Sequence, residues 1–260
     1  MSYKLLHGRT ALLFVGAATL AIGIAVTGHQ VSAQGPPPAP PAGPVPSPWA
    51  AAPIDMTGYW VSVVNEDWRW RMVTPPKGDY ASVPINDAAR KVADTWDVSK
   101  DGSCQAYGVG GLSRIPGRLH VTWESDNVLK IDTDAGTQTR RLMFTKSAPG
   151  ARSLQGHSAA EWERPGGGRG AAAVGGNLKV VTTNHTGGWL RKNGVPYSQD
   201  AVINEYWDRF TAPNGDNWLT VTTIIEDPMY LNQPFVTSTH FKKEPDGAKW
   251  APAPCRNVTE

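Results

Sequence analysis

Between residues 118 and 244 the chain alternates short runs rich in Val, Ile, Thr, Tyr and Trp with clusters of Asp, Asn, Gly and Ser. RLHVTWE at 118–124 turns at Ser125-Asp126-Asn127 into VLKIDT, and Asp134-Ala135-Gly136 leads on to TQTRRLMFT. LQGHSAAEWE, NLKVVTTNH, DAVINEYWDRF, NWLTVTTIIED and QPFVTSTHFKK follow, with Asn214-Gly215 as a hairpin turn. Period-two runs bounded by turn residues at this spacing specify strands, not helices. MTGYWVSVV and WRWRMV add strands near the start, giving about ten. Short turns favour an antiparallel up-and-down meander, and closing it into a barrel leaves no exposed edge. One short helix is expected at Asn86 to Trp96, where Asn86 can cap it and Ala89, Val92 and Trp96 share a face. The fold class is therefore mainly β, with that helix in an insertion.

The chain divides into three parts. Residues 1–33 carry Lys4 and Arg9, a short apolar run and Val31-Ser32-Ala33, the pattern of a signal peptide cleaved after Ala33. Residues 34–53 are dominated by Pro, Ala and Gly and read as an extended tether. Residues 54–260 are long enough for one ordinary domain, the barrel. Lys4 and Arg9 belong to the leader, so 23 basic residues remain against 23 acidic ones. That balance removes the charge signature of a nucleic-acid binder, and no membrane insertion is expected after cleavage. The two cysteines, Cys104 and Cys255, would meet an oxidising compartment and are expected to form one disulfide. A periplasmic or secreted location follows.

Thr57-Gly58-Tyr59-Trp60 places a Gly-x-Trp at the head of the first strand. With the meander behind it, this resembles the calycin and lipocalin pattern, which implies that Trp60 closes one end of a barrel around an apolar ligand. A typical lipocalin is shorter, and the segment 74–117 with its helix has no place in that pattern. More of the chain, from Thr57 to Cys255, resembles an uncharacterised family of secreted bacterial proteins through TDAGTQTR, GHSAAEWE, LRKNGVPYS and QPFVTSTHFKKEPDG. The resemblance implies an exported domain and carries no catalytic residues with it.

Candidate chemistry starts from His157 and Glu161. Four residues along a strand they share a face but stand about 13 Å apart, too far to hold one metal or pass one proton. A partner for His157 must come from a neighbouring strand. Tyr206, Asp208 and His240 are the candidates for acid–base catalysis, and Trp60, His120, Glu161 and Trp207 for contacts with a ligand. The wet face of the His157 strand, with Glu161 and Glu163, is expected to meet solvent or to line a polar interior. Gly166 to Gly170 lacks a P-loop ending, Asp132-x-Asp134-x-Gly136 reads as a hairpin turn, and no His/Cys cluster has zinc spacing, so neither cofactor nor metal is expected.

These features favour an exported barrel that binds a small, partly apolar molecule, aromatic or terpenoid-like, in an internal cavity. Two alternatives stand beside it: a cofactor-independent lyase, hydratase or isomerase using the same cavity, and a structural or surface-binding domain of the envelope.

Overall fold

In the computed structural model, which describes residues 45–164 and 175–257, the alternating runs become nine strands. They are β1 (Gly58–Val63), β2 (Arg118–Ser125), β3 (Val128–Thr133), β4 (Thr139–Met143), β5 (His157–Glu163), β6 (Asn177–Thr183), β7 (Val202–Thr211), β8 (Asn217–Glu226) and β9 (Phe235–Glu244). The signal peptide, most of the tether and most of the glycine-rich loop lie outside the described residues.

Each strand pairs with its neighbours in the chain, and β9 returns to β1 to close the barrel. A closed ring of nine cannot alternate direction throughout, so at least one neighbouring pair must run parallel. That pair is β4 with β5, where Leu142 faces Ser158 and Met143 faces Ala159. The expectation of an antiparallel meander is corrected at this one pairing. Residues 144–156 are not a hairpin; they carry the chain back along the barrel before β5 begins.

Alternation fills the interior. Trp60, Leu129, Leu142, Leu178, Trp207, Leu219 and Phe241 all point inward and form one contiguous cluster. The Trp60 indole N–H donates to the Met56 carbonyl at 2.8 Å, so its one polar atom is satisfied. Full burial of such side chains stabilises the fold by about 1.5–3 kcal/mol each. One end of the barrel is closed by Trp123, Phe144 and Trp162, whose ring centroids lie 5.3 to 6.5 Å apart. The end of the tether packs there too: the Trp162 indole N–H donates to the Pro48 carbonyl at 2.8 Å. At the β7–β8 turn, Gly215 takes φ +85°, a conformation other residues adopt at a cost.

The opposite end is capped. Residues 64–117, 184–201 and 227–234 fold over it around a second cluster, including Tyr80, Val109, Leu190, Tyr197, Ile225 and Phe235. WRWRMV, expected as a strand, forms instead a one-turn helix, α1 (Trp68–Arg71). Asp67 at φ +50° reverses the chain, and its carbonyl accepts from the Trp70 and Arg71 amides. Trp68 is left exposed and Arg71 is buried, while Trp70 is half-buried, its indole N–H donating to Asp79 Oδ1 at 3.0 Å. The expected helix at 86–96 appears as α2 (Asp87–Ala93), its N-terminus capped by the Asn86 side chain accepting from the Ala89 amide at 3.0 Å. Ala89 and Ala93 are buried, whereas Val92 faces out.

Cys104 and Cys255 are disulfide-bonded across 151 residues. The tail around the bridge is also held by backbone bonds: the Cys104 amide donates to the Arg256 carbonyl at 2.9 Å, and Arg256 donates to Gly102 at 2.8 Å. Ala253–Pro254 pairs in parallel with Ala135–Gly136. Gly136 suits this crowded corner because a Cβ there would stand 2.1 Å from the Tyr107 ring. Among the described residues, no helix is long and apolar enough to cross a membrane.

Candidate functional site

The expected catalytic residues lie on the outer wall. Ser158 and Ala160 point inward from β5, so His157 and Glu161 point out; Ile203, Glu205 and Trp207 point inward from β7, so Tyr206 and Asp208 point out. His240 likewise faces out between the inward Thr239 and Phe241. The register then sets their separations along that wall. His157 pairs with Thr183 at one end of β6, while Tyr206 pairs with Lys179, four residues further along. His157 and Tyr206 are therefore more than about 13 Å apart. Asp208 and His240 share a level but are separated by Thr220 on β8, and His240 instead approaches Glu66 at 3.4 Å. The four residues do not assemble into an acid–base group.

The expected ligand contacts divide between the two faces. Glu161 is exposed and bound to Lys179 at 3.1 Å. His120 stacks on Tyr59 with ring centroids 4.1 Å apart, and Trp250 meets both rings edge-on. This trio packs the wall from outside, because Leu119 and Val121 occupy the inward positions of β2. Trp60 and Trp207 do point inward, but they are packed into the core cluster described above.

Nearer the cap, the interior becomes polar. Arg140 reaches from β4 to Glu205 on β7 with two bonds, Nη1 to Oε1 at 3.0 Å and Nη2 to Oε2 at 2.5 Å. Both side chains are buried, and the Ser158 and Thr182 hydroxyls, 2.7 Å apart, each lie 3.4 Å from Arg140 Nη2. The geometry is the two-pronged match between guanidinium and carboxylate. Large apolar side chains and this pair occupy the space in which an internal cavity was expected.

Concave surface lies instead in the cap. One cleft of about 510 Å³ is walled by Trp96, Trp189, Pro196 and Tyr197, with Lys100, Gln105, Ser198 and Gln199 supplying polar groups. Sequence and packing both shape it. Trp96 follows the end of α2 and is buried against Ala106 and Trp189. Asp227 holds the opposite lip by accepting from the Ser198 amide at 2.7 Å and its hydroxyl at 2.8 Å. A second cleft of about 900 Å³, lined by Met72, Val73, Pro75, Pro76, Val98 and Trp96 with Lys77 and Lys192, lies on the other side of Trp96. Its indole N–H has no acceptor among the described residues. None of the cleft residues is among the candidate site residues of the sequence; Val92 and Trp96 enter only as faces of a helix, and Met72 and Val73 only as part of an expected strand.

Next to the first cleft, His185 is fully buried. Its Nδ1 accepts from the Gly187 amide at 3.2 Å, which places the ring proton on Nε2, 2.9 Å from the Ala201 carbonyl. Burial lowers its pKa from the ordinary value, so the native ring is neutral. An unfolded histidine titrates near about 6.5; below that pH the unfolded chain binds a proton that the folded chain resists. Stability is thus full above about 6.5 and falls as the pH is lowered toward the native pKa. Thermal melts at pH 7 and pH 5 should show a clear drop for the wild type and a smaller one for His185→Gln; identical drops would disprove this assignment.

No protein-family model matches the chain, and no curated protein matches it.

Proposed function

We propose that the protein is an exported barrel that binds a small, partly apolar molecule, and that it does so in the cap and not inside the barrel. One observation carries this reading: the 510 Å³ cleft in which Trp96, Trp189 and Pro196 face a few polar groups, Lys100, Gln105, Ser198 and Gln199. That size and mix suit a ligand with an aromatic or terpenoid body and one polar handle. The lipocalin-like start of the sequence is in keeping with a binding role, although the site proposed here is built partly from the 74–117 insertion that departs from that pattern and partly from residues 186–199. The leader-like N-terminus and the disulfide support export.

The test fills the cleft without touching the core. Gln199 and Thr95 are exposed residues on its wall. Gln199→Trp and Thr95→Trp should each weaken binding of aromatic or terpenoid probes at least tenfold, as read by tryptophan quenching or calorimetry. Trp68→Ala, on the exposed side of α1, should leave it unchanged. Equal affinity in all variants would remove the cleft as the site, and absence of binding by the wild type across the probes would leave the envelope-domain alternative in its place.

A further inference from the structure

Three buried arginines lie together in the cap, at the end of the barrel where Phe235 begins β9. Arg71 comes from α1, Arg114 from the turn before β2, and Arg191 from LRKNGVPYS; all are no more than 4% exposed. Arg71 Nε donates to the Arg114 carbonyl at 2.9 Å, and the Arg114 guanidinium lies over the Phe235 ring. The carboxylates nearby are already engaged. Glu66 pairs with Arg71, Asp67 with Arg114 at 2.7 Å, and Asp79 with Arg69 and the Trp70 indole N–H at 3.0 Å each.

Arg191 has no such partner among the described residues. Its guanidinium stacks on Trp70, 4.7 Å from the ring centroid, which satisfies its face but not its edge. Nε, Nη1 and Nη2 all lack an acceptor, and so do Nη2 of Arg71 and Nη1 of Arg114. Five buried N–H-bearing nitrogens without partners on three neighbouring guanidinium groups are far from the usual condition of buried polar atoms. Burial, with Arg114 adding repulsion, lowers the Arg191 pKa to about 10, so it is still charged at neutral pH.

We infer that Arg191, with Arg71 and Arg114, forms a binding site for a small carboxylate, its planar oxygens accepting from the edge of the Arg191 fork. Charge decides the class. Arg71 and Arg114 are neutralised by Glu66 and Asp67, leaving the single positive charge of Arg191, which one monoanion balances. A dianionic phosphate would reverse the imbalance, and an apolar group would leave every donor unused. The site is separate from the cap cleft, whose walls include none of these arginines, so either can fail without the other.

The experiment uses the purified full-length chain in chloride buffer at pH 7, titrated with formate, acetate, benzoate or phosphate and followed by thermal shift and calorimetry. A saturable carboxylate-dependent rise in Tm is expected in the wild type, and its loss in Arg191→Met. Without added carboxylate, Arg191→Met should melt at or above the wild-type temperature, because an unpaired buried charge has been removed. Arg191→Lys, which keeps the charge but not the fork, should bind at least tenfold more weakly and serves as the deciding variant if Arg191→Met does not fold. No saturable effect in the wild type, an undiminished effect in these variants, or a response to phosphate alone would each overturn the assignment.

Discussion

Replacing Arg140 by Met should destabilise the protein by about 3–5 kcal/mol, because it leaves the Glu205 carboxylate buried without its cation. Glu205 is fully buried, and both of its oxygens are held by Arg140. Against a typical total stability of about 5–15 kcal/mol, such a loss leaves a barrel close to unfolding at moderate temperature. The double variant Arg140→Met/Glu205→Leu should behave quite differently. Both charges and their desolvation cost disappear together, and replacing a buried pair by apolar groups of similar volume is often neutral or stabilising. Ser158 and Thr182 still bond each other at 2.7 Å when the guanidinium is gone. Urea unfolding of the wild type, both single variants and the double variant closes the cycle. If Arg140→Met alone costs less than about 1 kcal/mol, the pair does not carry the burial energetics assigned to it here.

This pair also shows what the sequence contained and how it could be missed. In TRRLM, Arg140 shares its face with Leu142, and in VINEYW, Glu205 shares its face with Ile203 and Trp207. Strand parity alone puts one arginine and one glutamate inside, yet each sits in a run whose other face is equally mixed. Attention drawn to His157, Tyr206 and Asp208 followed residue chemistry, whereas the inward positions followed the apolar neighbours. The strands themselves were legible because their alternation is local and turns such as Asn214-Gly215 mark the boundaries. The return of residues 144–156 was not, since SAPGARSLQG has no apolar period and only closure of a nine-membered ring demands a parallel pair. WRWRMV alternates like a strand but is overruled by Asp67 at φ +50° and by the burial of Arg71 in the cap. The cap clefts and the Arg191 cluster arise from segments 64–117 and 184–201 meeting over the barrel, contacts that no short stretch encodes.

Loss of the Cys104–Cys255 bridge should be nearly as costly, and for a reason that lies in the unfolded chain. The bridge spans 151 residues, and closing a loop of that size removes denatured-state entropy worth about 5 kcal/mol in the chain-entropy account, with about 2–5 kcal/mol usual in practice. In a domain of about 200 residues each kcal/mol moves Tm by about 2–4 °C, so Cys104→Ser/Cys255→Ser should melt about 5–15 °C below the wild type. The native tail should still be in place below that transition. Its backbone bonds to Gly102 and Cys104 and the pairing of Ala253–Pro254 with Ala135–Gly136 do not depend on sulfur. Those contacts are few and exposed, however, so the tail becomes the first part to open. Limited proteolysis should accordingly cleave the reduced or double-Ser protein near residues 253–256 while the barrel stays intact, and the oxidised wild type should resist. An unchanged melting temperature, or cleavage within the barrel before the tail, would show that the bridge does not supply the constraint its loop length implies.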